Sequence, residues 1–71
     1  MRVLIVDDHR IVASGCRALF MDDPEIHILE ASDAESGERV FCENLPDICV
    51  LDINLPTVSG FELARRLLAR D

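Results

Sequence analysis

Apolar positions fall along this chain in two rhythms. Val3-Leu4-Ile5-Val6 is an unbroken apolar run, as expected of a strand covered on both faces, and Ile48-Cys49-Val50-Leu51 is a second. Residues 10–22 instead place Val12, Cys16 and Leu19/Phe20 on one face at helical spacing. Asp22-Asp23-Pro24 ends that helix, because proline disfavours helical backbone in the residue before it. Residues 26–31 alternate apolar and polar, which fits a half-covered strand near a sheet edge. Ser32 and Glu35 have capping-box spacing and predict a second helix over 33–45, closed by Leu45-Pro46. A third strand is expected over 47–53. After the loop Asn54-Leu55-Pro56-Thr57-Val58, Ser59 and Glu62 repeat the capping-box spacing. They open a third helix with Phe61, Ala64 and Leu68 on one face and Leu63 and Leu67 alongside.

The predicted order βαβαβα, with short connections and no linker or repeat, implies an α/β domain over residues 1–71: parallel strands joined by right-handed helical crossovers. Composition narrows the partners. Fourteen acids face seven arginines and no lysine, a net charge of −7, which argues against a nucleic-acid surface in this segment. Cys16, Cys42 and Cys49 form no C-x-x-C pair and are expected to be small buried hydrophobes in a reducing cytosol. The apolar start is too short for a signal peptide, and no run reaches membrane-spanning length, so a cytoplasmic protein without a membrane partner is expected.

Candidate chemistry lies at two strand ends. Asp7 and Asp8 close the first strand and Asp52 closes the third. In an open parallel sheet, neighbouring strands deliver their C-terminal ends to one crevice, where ligands bind. Carboxylates converging there repel one another and call for a cation, and hard oxygen donors favour Mg²⁺ over a soft metal. A carboxylate beside Mg²⁺ can attack a phosphoryl group and become an aspartyl phosphate. Asp7 and Asp8 also suit turn and N-cap positions; acids at two strand ends put the metal reading ahead of that one without settling it.

Val3-Leu4-Ile5-Val6-Asp7-Asp8-His9, followed by Val12 and Gly15, resembles the opening of a bacterial response-regulator receiver domain, most like the NarL/FixJ branch. Asp52-Ile53-Asn54-Leu55-Pro56-Thr57-Val58-Ser59-Gly60 is similar to the segment around that family's phosphoacceptor. The resemblance implies a flavodoxin-like fold and a signalling role, not an enzyme. Asp52 would accept phosphate from a phosphohistidine on a sensor histidine kinase. Asp7 and Asp8 would hold Mg²⁺, joined by Asp52 and the backbone carbonyl of Asn54. The Asn54 side chain would tune hydrolysis, and Gly60 and Pro56 would shape the loop through the backbone. His9 follows the acidic pair and could approach the site, though the leading expectation is a solvated side chain at the helix start, and His27 is expected to be structural.

The resemblance covers the first three βα units, strand order 2-1-3, and the fourth and fifth units have no counterpart here. The family's switch Ser/Thr, switch aromatic and phosphate-binding Lys are therefore expected to be missing. The third strand is left as an exposed edge, which predicts self-association through antiparallel pairing of that edge. DNA would be reached through an output domain, a C-terminal helix-turn-helix, outside this chain. The alternative is a signalling-inert half-receiver that only self-associates. A phosphohydrolase of haloacid-dehalogenase type would want Asp-x-Asp after the first strand, whereas Asp7 and Asp8 are adjacent.

Overall fold

Strand β1 (Arg2–Val6) lies between β2 (His27–Ala31) and β3 (Ile48–Leu51) in a parallel three-stranded sheet of order β2-β1-β3. The structure is a computed structural model and describes residues 1–70; Asp71 lies outside the described residues. Helices α1 (Arg10–Phe20), α2 (Ala34–Asn44) and α3 (Gly60–Arg70) alternate with the strands. The chain moves from β1 outward to β2, then back across β1 to β3. Right-handed crossovers in opposite directions put α1 and α2 on opposite faces of the sheet. Helix α3 joins α2 on its face, where Arg70 pairs with Glu38 at 2.8 Å.

The core forms on the α2/α3 face from Leu4, Val6, Ala34, Leu55, Leu63 and Leu67. Strand alternation turns Val3 and Ile5 to the α1 face, where they are also buried, so β1 is covered on both sides as its unbroken pattern requires. Helix α2 approaches β1 closely because Gly37 carries no side chain: a Cβ there would lie 2.9 Å from a Val6 methyl. On β3, Cys49 and Leu51 pack against the core, whereas Ile48 and Val50 are each 46% exposed on the α1 face. Among the described residues β3 pairs on one side alone, so the expected exposed edge is present.

Several local expectations need correction. The second helix is capped one residue later than the Ser32/Glu35 spacing suggests. Asp33 is the N-cap, accepting from the Ser36 N–H at 2.8 Å and from its hydroxyl at 2.6 Å. Asp and Ser cap about equally well, and the charged Asp33 carboxylate gains further from the helix dipole at the N-terminus. Helix α3 buries Leu63 and Leu67, while Phe61 and Leu68 stand 70% and 77% exposed. Ser59 does cap α3, its hydroxyl accepting from the Glu62 N–H at 3.2 Å, but the Glu62 carboxylate turns to Arg65 instead of closing the box. In α1, Leu19 is exposed and no residue is fully buried, because a single helix covers that face. None of the cysteines is fully buried and Cys42 is exposed, which corrects the expectation for all three. Cys49 comes nearest to it, and burial pushes its thiol pKa up.

Candidate functional site

Asp7 and Asp52 are each fixed by a backbone bond that carries the ladder one step past its strand. The Asp7 N–H donates to the Ala31 carbonyl at 3.0 Å, and the Asp52 N–H donates to the Val6 carbonyl at 2.9 Å. Register does the rest: Val6 pairs with Leu51, so the next residue on each strand emerges at the same end of the sheet. One ligand atom from each of Asp7, Asp8, His9 and Asp52 falls within 4.8 Å of the others. The adjacent acids converge because a turn follows Val6. The Asp7 carboxylate accepts from the His9 backbone N–H at 2.7 Å, which turns the chain into α1 and leaves His9 as its N-cap residue.

The loop after β3 is built around Asp52. Its Oδ1 accepts from the Asn54 N–H at 3.0 Å, which leaves Oδ2 on the side of the other acids. Leu55 inserts into the core and anchors the loop, and the Gly60 N–H closes it on the Ile53 carbonyl at 2.9 Å. Gly60 sits so close to Asp52 that a Cβ would stand 2.2 Å from its carbonyl oxygen. Its φ is not positive, so the position demands glycine for space and not for backbone freedom.

The Asp7 side chain is 12% exposed and that of Asp52 18%, while Asp8 opens further to solvent. Burial pushes the Asp7 carboxyl pKa up, but the His9 backbone N–H and ring outweigh it and hold it below the usual value. The His9 pKa is raised, first by its hydrogen bond to Asp7 and then by the charges of Asp8 and Asp7. His9 is a solvated residue at the helix start, its side chain 66% exposed, and it also approaches the acids: its Nδ1 is 2.9 Å from Asp7, 3.0 Å from Asp8 and 3.6 Å from Asp52. No periodicity signals this; adjacency to two acids at a helix start is the sole cue in the sequence. His27 lies on β2, exposed and away from the cluster.

The donor set fits a hard divalent cation. Carboxylate oxygens supply several ligands, and the partly open setting leaves room for the waters that Mg²⁺ retains. Asn54 reaches the cluster through its backbone N–H on Asp52.

A family model described as the response regulator receiver domain matches residues 3–71. The chain belongs to that family. As a receiver it is 42% identical to the DNA-binding transcriptional activator DevR/DosR of Mycobacterium tuberculosis, across 99% of this chain and 33% of that protein. It is 35% identical to a protein-glutamate methylesterase/protein-glutamine glutaminase of Bradyrhizobium diazoefficiens, across 99% of this chain and 20% of that protein. A crystal structure of a two-component response regulator of the LuxR family from Aurantimonas superposes with a TM-score of 0.87 at 39% identity, covering 99% of this chain and 51% of that one.

The receiver therefore spans a third or less of the curated relatives just named, and about half of that solved chain. Its flavodoxin-like sheet of order 2-1-3 and its NarL/FixJ-like receiver character stand as expected. Receiver domains are signal-relay modules and not catalytic enzymes. Among the described residues, no helix is long and apolar enough to cross a membrane.

Proposed function

We propose that this receiver takes a phosphoryl group from the phosphohistidine of a sensor histidine kinase onto Asp52, with Mg²⁺ held by Asp7, Asp8, Asp52 and the Asn54 carbonyl. The observation that carries the reading is the convergence of Asp52 with Asp7 and Asp8 at one end of the sheet, their ligand oxygens within 4.8 Å. In the transfer, an Asp52 oxygen forms the new bond to phosphorus while the bond from phosphorus to the kinase imidazole nitrogen breaks and its electron pair stays on that nitrogen. Bound Mg²⁺ would supply charge neutralisation on the transferring oxygens. Asp7 and Asp8 hold the cation against the crevice. The Asn54 N–H fixes the rotation of the Asp52 carboxylate. Gly60 keeps the loop tight against the Asp52 backbone.

The output is control of transcription through a DNA-binding domain in the parent protein, a role supported by the names of relatives such as DevR/DosR and the regulatory protein LiaR. The site operates in the cytoplasm, where the kinase's phosphohistidine is made. A second reading, a half-receiver that self-associates without signalling, is favoured by the unpaired edge of β3 and the exposure of Ile48 and Val50. One experiment separates the two. The chain is treated with Mg²⁺ and a small acyl phosphate, and its intact mass is measured. One phosphoryl increment, lost in Asp52→Asn and on chelation of Mg²⁺, is expected. No increment at any Mg²⁺ concentration overturns the phosphoacceptor reading in favour of the inert fragment.

A further inference from the structure

The His9 ring lies among the acids of the site rather than beside them. Its Nδ1 approaches Asp7 Oδ1 at 2.9 Å, Asp8 Oδ1 at 3.0 Å and Asp52 Oδ2 at 3.6 Å. These aspartates are the ones that the proposed function gives to the cation, and Asp7 Oδ1 also accepts from the His9 backbone N–H at 2.7 Å. A Mg²⁺ ion shared by such oxygens needs them at about 2.0–2.1 Å with near-octahedral geometry, and it prefers oxygen ligands to imidazole. The ring therefore engages the lone pairs that the ion requires without being a ligand that the ion favours. Nothing in the packing holds it there: the side chain is 66% exposed, on the N-cap residue of a helix that buries no residue fully.

We propose that the His9 imidazole and Mg²⁺ compete for the same carboxylates, so that the ion binds as the ring swings out to solvent. His9 is then a positioning residue that sets the affinity and metal preference of the receiver site. The inference rests on the metal-site reading given above. It concerns this chain's own side chain and is tested by binding and by the ring itself, not by phosphorylation.

The chain's two histidines allow the ring to be observed directly, with the distant His27 as an internal reference. The 71-residue chain is titrated with MgCl₂ while both imidazoles are followed by NMR. The His9 ring signals are expected to move along the same curve as the Asp7 and Asp52 backbone amides and to lose their contacts with Asp7 and Asp8, with His27 unchanged. In parallel, calorimetry of His9→Ala and His9→Gln is expected to show Mg²⁺ bound about twofold to fivefold more tightly, the change that releasing one exposed ion pair produces. A ring that keeps its aspartate contacts while the amides saturate overturns the competition. So does weaker Mg²⁺ binding by His9→Ala, which would make the ring a ligand. Asp8→Asn separates the two levels. If the unsubstituted chain binds Mg²⁺, Asp8→Asn does not, and both His9 variants match the unsubstituted chain, the competition alone fails. If none of the proteins binds Mg²⁺, the metal-site reading fails and the competition falls with it.

Discussion

Gly60 has no functional group, yet it sets the position of the phosphoacceptor candidate. A Cβ there would lie 2.2 Å from the Asp52 carbonyl oxygen and 3.0 Å from the Ile53 Cα, so both neighbours are backbone and neither can rotate away. Gly60→Ala is expected to lower stability by about 1–3 kcal/mol and to move the Asp52 loop. Urea unfolding would measure the first effect, and amide shifts of residues 52–60 the second. At this scale the aspartates were legible because strand ends in a parallel sheet have a fixed destination. His9 was not, since its place depends on the Asp7 turn, which brings the ring back over residues that precede it. The demand for glycine at position 60 was legible as a backbone role, but its cause, space and not φ, belongs to tertiary contact.

Helices α1 and α2 each carry a glycine, and the same substitution is expected to act with opposite signs in them. Gly15 in α1 has nothing within 4 Å of a built Cβ, so Gly15→Ala should stabilise the chain by about 0.5–1 kcal/mol through helix propensity. Gly37 in α2 meets the two Val6 methyls at 2.9 and 3.1 Å in a buried setting. Gly37→Ala should therefore destabilise by about 1–2 kcal/mol, as overpacking outweighs the helix gain. Paired denaturation curves would show midpoints moving in opposite directions; a stabilised Gly37→Ala would refute the close approach of α2 to β1.

The α2 cap adds a pH dependence. The Ser36 hydroxyl and N–H hold the Asp33 carboxyl below the ordinary value of 3.8, so the cap's contribution is complete above that pH and is lost as pH falls through the lower folded value. Asp33→Asn, which caps without titrating, should keep α2 at neutral pH and remove this acid step in the amide exchange of Ser36 and Gly37. The sequence placed the start of α2 to within one residue, because Ser32, Asp33 and Ser36 are all capping types, and geometry chose among them. It did not choose between the faces of α3, since Phe61-Leu68 and Leu63-Leu67 are both apolar pairs and only docking on the sheet distinguishes them.

Across the whole molecule the sheet is covered unequally. The α2/α3 face has a closed core, whereas the α1 face leaves Ile48 and Val50 each 46% exposed beside the unpaired edge of β3. The 71-residue chain is expected to self-associate, most simply as a twofold dimer pairing β3 edges antiparallel into one six-stranded sheet. Light scattering at micromolar concentration should give a dimer mass, and Val50→Lys, which places a charge on that face, should return it to monomer. A clean monomer of the unsubstituted chain would sink the expectation. The sequence by itself determined the order of elements, the parallel sheet and the aspartates at the strand ends, because apolar period, caps and prolines are local properties and the crossover rule leaves few topologies. Tertiary structure decided which apolar faces are buried, why position 60 must be glycine, and that His9 sits among the acids. Those outcomes depend on atoms brought together from residues distant along the chain, or folded back by one turn, and a linear pattern does not encode such distances.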